Sequence, residues 1–229
     1  MNRNYQKELE RILDAEQTRG KTLLLHSCCA PCSSYCMEYL REYFRITVLY
    51  YNPNITQEPE YRKRVEEEKR LIEAYNRQLE TGNLDGMNST NAAYPIEIME
   101  GAYAPQEFLE LVKGKEQCPE GGDRCFLCYE MRLKETARIA REKGFDYFTT
   151  TLSISPLKNA HKLNEIGERL AAECGVPYLV SDFKKKNGYL RSIQLSERFE
   201  LYRQDYCGCI YSKAERKRQK EAAEKKGEA

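Results

Sequence analysis

No stretch of this chain approaches the roughly 18 consecutive apolar residues that a membrane-spanning helix needs, so a helical bilayer protein is not expected. The opening residues, Met1-Asn2-Arg3-Asn4-Tyr5-Gln6-Lys7-Glu8, are polar or charged after the initiator and offer neither the apolar core nor the cleavage site of a secretory signal. A soluble, cytoplasmic protein is the expectation. An excess of either charge is missing too: the formal net charge is +1, so the molecule as a whole does not attract nucleic acid electrostatically. Internal repeats are absent, and no low-complexity stretch precedes the tail. The simplest organisation is one domain over residues 1–229, with a charged N-terminal helix (about 1–20) and a basic C-terminal tail (about 213–229). At 229 residues and 41% hydrophobic, the chain is long enough to bury a substantial core.

What is abundant is cysteine. Ten cysteines include Cys28-Cys29-x-x-Cys32, Cys125-x-x-Cys128 and Cys207-Gly208-Cys209. Packing gives one thiol no reason to sit beside another. In a reducing compartment, thiols in separated clusters point to metal binding or catalysis rather than to a disulfide framework.

Helical and strand patterns alternate along the chain. Tyr5 to Thr18 reads as an amphipathic helix stopped by Gly20, and Thr22-Leu23-Leu24-Leu25-His26 as a buried strand. After the Cys28 to Cys32 turn, Ser33 can cap a helix to about Tyr43, followed by a strand over residues 46–51. Glu58 to Leu79 is a long helix, Gly82 to Ala92 a loop, and Tyr94 to Met99 a strand whose Pro95 places it at a strand start or a sheet edge. Pro105 to Val112 is a short helix, and a Gly- and Cys-rich loop runs from Gly114 to Leu127. A helix over Tyr129 to Lys143, a strand over Phe145 to Thr150, a helix over Asn159 to Glu173 and a strand over Val176 to Val180 complete the pattern. Such alternation builds an α/β fold, a parallel sheet flanked by helices, in which ligands bind beyond the carboxyl ends of the strands. Cys28, Cys29 and Thr149-Thr150-Thr151 all fall at such ends.

Three or four thiolates from two loops meet the needs of an iron-sulfur cluster, and four would equally hold zinc. A zinc ribbon keeps its pairs close in sequence, whereas Cys125 lies far downstream of Cys29 with several helices between; a site assembled by the fold favours a cofactor. Cys207 and Cys209 close too short a loop to stabilise the chain. A disulfide between them would be strained and easily reduced, so they read as a redox element or as metal ligands. Cys36 and Cys174 have no close partner of this kind and read as small buried hydrophobes. Lys184-Lys185-Lys186 with Arg191, and the basic tail that includes Lys213, Arg216, Lys217, Arg218, Lys220, Lys225 and Lys226, are candidate electropositive patches, with a solvated helix face as the simpler alternative.

Taken together, His26-Ser27-Cys28-Cys29-Ala30-Pro31-Cys32, Tyr51-Asn52-Pro53-Asn54, Arg124-Cys125-Phe126-Leu127-Cys128-Tyr129, Thr149-Thr150-Thr151-Leu152, Ser181-Asp182-Phe183-Lys184-Lys185-Lys186 and Tyr202-Arg203-Gln204-Asp205-Tyr206-Cys207-Gly208-Cys209 resemble the QueH-type epoxyqueuosine reductases, over roughly residues 22–212. The resemblance implies reduction of epoxyqueuosine to queuosine at the wobble position of tRNA, the last step of queuosine biosynthesis, on a PP-loop ATPase-like (HUP-like) fold. The Ser/Gly-rich phosphate loop of those ATPases is replaced here by the Cys28-Cys29 turn, so ATP use is not implied. It further implies a [4Fe-4S] cluster on Cys28, Cys29, Cys125 and Cys128, with Cys32 as the alternative ligand, and a redox-active disulfide between Cys207 and Cys209. An additional iron ion is implied as well, for which Cys207, Cys209 and Asp205 are candidate ligands. The implied partners are tRNA, gripped by Lys184 to Lys186, Arg191 and Arg203, and an unidentified electron donor. The different-class alternatives are a zinc-stabilised nucleic-acid-binding module without redox activity and a PP-loop-like tRNA thiolase.

Overall fold

The structure, a computed structural model, describes residues 3–82 and 93–227. Four strands, β1 (Lys21–Ser27), β2 (Phe44–Tyr50), β3 (Ile96–Glu100) and β4 (Tyr147–Thr150), form one parallel sheet in the order β3-β2-β1-β4. Successive side chains of a strand face opposite sides, and both sides of this sheet are covered. Leu23 and Leu25 of β1 with Ile46 and Val48 of β2 enter one core, and Leu24 with Leu49 enters the other. The helices α2 (Ala30–Leu40) and α3 (Glu58–Thr81) cover the first face, supplying Met37, Leu40, Leu71 and Ile72. The second face is covered by α5 (Asp123–Lys143) and α6 (Ala160–Cys174), through Leu133, Leu163, Ile166 and Leu170. The remaining helices are α1 (Tyr5–Asp14), α4 (Pro105–Leu111), α7 (Gly188–Arg198) and α8 (Ile210–Gly227). This is the expected α/β architecture, consistent with a Rossmann- or HUP-like fold, and Pro95 does precede an edge strand.

Several local expectations are corrected. The first helix stops at Asp14, and Glu16–Thr18 is a separate 3₁₀ turn. Ser33 does not cap α2. The helix starts earlier, with Cys29 at the N-cap, and the Ser33 hydroxyl donates instead to the Cys29 carbonyl and to Glu68 Oε1 at 2.5 Å. The loop expected through Leu127 ends at Gly122, so Cys125 and Cys128 lie inside the first turns of α5. The strand expected over Val176 to Val180 reduces to a single parallel bridge between Tyr178 and Phe148. Pro177 has no amide hydrogen to donate; its carbonyl accepts from Phe148 N at 3.1 Å. α7 carries Arg191 and α8 occupies the basic tail, in line with the helix-face alternative for the two basic segments, for which no helix bounds were read. Of the loop expected over 82–92, residues 83–92 lie outside the described residues, as do the side chains of Lys225 and Lys226.

β1 neighbours β2 on one side and β4 on the other, and the chain winds outward in both directions from it. The carboxyl ends of β1 and β4 therefore flank a topological switch point, where open α/β sheets bind their ligands.

Candidate metal and redox centre

The turn after β1 delivers the first thiols to that switch point. Cys29 is at the N-cap of α2 in extended conformation, and Cys32 follows within the first turn, so one strand-to-helix turn brings three sulfurs together. The Sγ atoms of Cys28, Cys29 and Cys32 all lie within 4.8 Å of one another, and Cys28 Sγ is 3.8 Å from Cys29 Sγ. Thr151, just beyond β4, donates its hydroxyl to Cys28 Sγ at 3.6 Å. One thiolate among three thiols is the favourable arrangement: hydrogen bonds from Cys29 and Cys32 hold the Cys28 thiol well below its usual range. The contact with Cys28 in turn pushes Cys29 up to about 12, and contacts with Cys28 and Cys29 push Cys32 well above its usual range.

The second pair comes from α5. Cys125 and Cys128 are three residues apart and so share a helix face. Both are buried, Cys125 Sγ accepts from the Gly121 amide at 3.2 Å, and Cys128 Sγ lies 3.8 Å from Arg132 Nη1. Among the described residues these two sulfurs do not join the tight group of Cys28, Cys29 and Cys32, which includes the cysteine that sequence reasoning placed second.

The third element is the loop before α8. Cys207 and Cys209 are both free thiols with sulfurs 3.7 Å apart. The loop is fastened by its main chain: the Cys207 carbonyl accepts from Arg64 Nη1 at 3.2 Å and from Asn54 Nδ2 at 3.4 Å. Gly208 has φ +114°, and a Cβ there would come within 2.7 Å of Ile55 Cγ1 and 3.2 Å of Arg64 Nη1, so no other residue fits. At the far side, Ser212 N donates to Cys209 Sγ at 3.3 Å and Ser212 Oγ lies 3.2 Å from Cys207 Sγ. Hydrogen bonding from Cys209, opposed by burial and helped by Lys158, lowers the Cys207 thiol well below its usual range, and Cys209 rises in turn. Cys128 and Cys209 share one small apolar cluster with Phe108 and Val112, and Cys207 packs against it. The second and third thiol elements are therefore neighbours.

Several side chains around the thiols were not singled out from sequence. Arg64 on α3 ion-pairs with Glu60 at 2.7 Å, and Lys158, also buried, pairs with Glu120 at 2.6 Å. Arg132 is buried and joins three segments: Nε donates to His26 Nε2 at 3.2 Å, Nη2 to Asn52 Oδ1 at 2.7 Å, and Nη1 faces Cys128. Burial, and then the Arg132 charge, pull His26 down to about 3, so its imidazole is neutral; its Nδ1 lies 2.8 Å from Thr150 Oγ1. Glu68 is fully buried and is pushed up to about 8 by that burial, against the Ser33 hydrogen bond. Its Oε2 has no hydrogen-bond partner among the described residues. The signal available for these residues was position: Arg132 follows Cys128 by one helical turn, and His26 and Asn52 lie within motifs already quoted, though with no role assigned.

Most of the basic residues expected to meet tRNA also have partners within the chain. Lys184 pairs with Asp182 at 2.6 Å, Lys186 with Glu10, Arg191 with Glu38 at 2.7 Å, and Arg203 donates to Ser196 Oγ. Asp205 is tied to Lys220 at 2.5 Å. No helix is long and apolar enough to cross a membrane among the described residues.

The donor set fits a thiolate-bound metal group. Sulfurs converge at a strand-end crevice, oxygen ligands are few, and buried cations stand beside the thiols as a negatively charged centre requires. Comparison with known proteins agrees with this chemistry. Residues 23–215 match the family model described as epoxyqueuosine reductase QueH. A protein of that name from Streptococcus pyogenes serotype M1 is 40% identical over 205 residues, covering 90% of this chain and 75% of its own. One from Staphylococcus epidermidis is 39% identical over 213 residues, covering 91% and 84%, and one from Thermotoga maritima is 32% identical over 199 residues, covering 86% and 92%. The thiol motifs, the parallel sheet that gathers them and these similarities converge: the chain belongs to the QueH family of epoxyqueuosine reductases, which are oxidoreductases.

Proposed function

We propose that this chain, acting in the cytoplasm as one metalloenzyme domain over residues 1–229, reduces epoxyqueuosine in the anticodon loop of tRNA to queuosine. The balance of the reaction is two electrons and two protons in, an alkene and water out. In this reading Cys28, Cys29, Cys125 and Cys128 hold a [4Fe-4S] cluster, and the position of Cys32 within 4.8 Å of Cys28 and Cys29 keeps it as the alternative ligand. An additional iron would sit near Cys207 and Cys209. When bound, the cluster supplies electrons one at a time from an external donor. The protein's own residues do the rest. Cys207 and Cys209 hold an electron pair as a dithiol and release it by forming a disulfide. Cys207 is the sulfur poised as thiolate, beside Lys158. The anticodon loop offers bases already unpaired, so turning the modified nucleotide into the crevice costs little.

The observation that carries the reading is the fastening of the Cys207 carbonyl to Arg64 and Asn54, which holds the third thiol element over the strand ends beside Cys128. For the tRNA backbone, Lys184 to Lys186, Arg191 and Arg203 were the first expectation, but most of them have intramolecular partners. Arg216 and Lys217 lie on α8, which begins directly after Cys209; their partners Gln219 and Glu221 are exposed on the same helix, so both are available as phosphate contacts close to the thiols.

The test is anaerobic purification with iron, zinc and sulfide analysis, followed by incubation with epoxyqueuosine-containing tRNA and a one-electron reductant. Queuosine in the nucleoside digest, from a brown protein, is the expected result. Unreacted epoxide from an iron-loaded protein would overturn the function, and a colourless zinc protein would overturn the cluster.

A further inference from the structure

We infer that Arg132 is the charge-balancing residue of the thiol centre, a positioning residue whose fixed positive charge sets the reduction potential of the metal group. The inference rests on the metal reading above. It starts from an imbalance. A guanidinium is always charged, and burying one requires an anion or a full set of acceptors. Arg64 and Lys158 meet that need with carboxylates, Glu60 and Glu120. Arg41 and Arg124 are held by neutral oxygens, Arg41 by the Tyr75 carbonyl and Gln78 Oε1 and Arg124 by the carbonyls of Glu116 and Cys118, while Arg41 Nε and Arg124 Nε and Nη2 have no hydrogen-bond partner among the described residues.

Arg132 has neither a carboxylate nor a backbone carbonyl among its hydrogen-bond partners in the described residues. Its partners are the amide oxygen of Asn52, the imidazole of His26 and the sulfur of Cys128. Asn52 is neutral, and His26 Nε2 needs a free lone pair to accept from Arg132, which makes that imidazole neutral too. Of the groups Arg132 touches, the one that can carry the compensating negative charge is the Cys128 sulfur, 3.8 Å from Nη1. The placement is also rigid. Arg132 is one helical turn beyond Cys128 on α5 and reaches His26 at the end of β1. It also reaches Asn52, whose side-chain amide donates to the Ser27 carbonyl at 2.8 Å. The fork therefore ties the helix that bears Cys128 to the strand that leads into Cys28.

A cluster on four thiolates is anionic and gains one negative charge on reduction. A fixed cation in contact with a ligand sulfur stabilises the reduced form more than the oxidised form, which raises the potential. Arg132→Met keeps most of the bulk and removes the charge, and Arg132→Lys keeps the charge and loses the fork. Each variant is purified anaerobically, its iron and sulfide are measured, and its midpoint potential is titrated against wild type. The expected result is a shift to more negative potential in Arg132→Met, partly restored in Arg132→Lys. Turnover in Arg132→Met should fall about 10–100-fold, as for other partners of metal ligands. A loaded Arg132→Met protein with the wild-type potential overturns the inference. Equal shifts in both variants also overturn it, because geometry rather than charge would then be the cause. Should Arg132→Met lose its metal, the Lys variant decides: metal retained at near wild-type potential supports the inference, and metal lost there too overturns it. A wild-type protein free of iron and sulfide removes the metal reading itself, a result distinguishable from an unmoved potential.

Discussion

The two turns that present neighbouring thiols, Cys28-Cys29-Ala30-Pro31-Cys32 and Cys207-Gly208-Cys209, are built in opposite ways. The first is a product of the core: it joins the central strand of the sheet to a buried helix, and its sulfurs point where the backbone of that junction sends them. The second is not joined to any strand of the sheet. It is a loop with one left-handed glycine, attached by hydrogen bonds to its own main chain from Arg64 and Asn54. The difference suits the two roles proposed above. A metal group needs ligands that do not move, whereas a dithiol that opens and closes needs sulfurs free to approach each other. The same division explains why one turn tolerates a buried carboxylic acid behind it while the other depends on a single residue without a side chain.

Four outcomes break or sharpen that comparison, beginning with the largest. Serine at Cys28, Cys29, Cys125 or Cys128 should remove most of the iron and sulfide and all detectable turnover; measured metal content that survives in Cys125→Ser and Cys128→Ser but vanishes in Cys32→Ser would exchange the ligand set. Cys207→Ser and Cys209→Ser should stay brown and lose conversion of epoxyqueuosine-tRNA, since they leave the first turn intact. Full activity in either variant would deny the loop a redox role, and loss of one iron atom alone would make it a metal site.

The third concerns Glu68, behind the first turn. Its carboxyl titrates at about 8 when folded, above the value of 4.5 for an unperturbed carboxyl, so the folded state holds a proton that the unfolded chain has released across that window. Stability is therefore present below pH 4.5 and falls as pH rises to about 8, by about 1.4 kcal/mol per pH unit. Glu68→Gln, which cannot ionise, should flatten that decline in denaturant titrations repeated at pH 5, 7 and 8.5; parallel wild-type and variant curves would mean that the carboxyl is already ionised. The fourth is Gly208→Ala, expected to cost about 1–3 kcal/mol of local strain and to slow turnover with the metal content unchanged. Full-speed turnover in the Gly208→Ala variant would show that the loop relaxes without its glycine.

Much of the fold was legible because the strands are short apolar runs and the helices between them are strongly patterned. β1 and β2 read as apolar runs because both faces are covered, and Pro95 marked the edge. Val176 to Val180 has the composition of a strand, but with Pro177 in its middle only Phe148 and Tyr178 pair, a tertiary outcome that composition does not report. α8 was read as a tail because charge dominates its sequence, although its first turn is anchored by Ser212 and follows directly on the buried Cys209. Of the site, the thiols announced themselves by spacing. Their cations did not: Arg132, Arg64 and Lys158 look in sequence like any other surface charge, and only packing shows that each is buried against sulfur or a carboxylate.

Ser212 touches both sulfurs of the second turn from within the first turn of α8. For a bond to form, sulfurs now 3.7 Å apart must close to about 2.05 Å, and the two Ser212 contacts have to adjust as they do. On the redox role proposed above, closing the dithiol would be felt at the start of a helix about 27 Å long. Amide exchange at Ser212 and Lys213, compared between reduced and oxidised protein, reads that coupling directly.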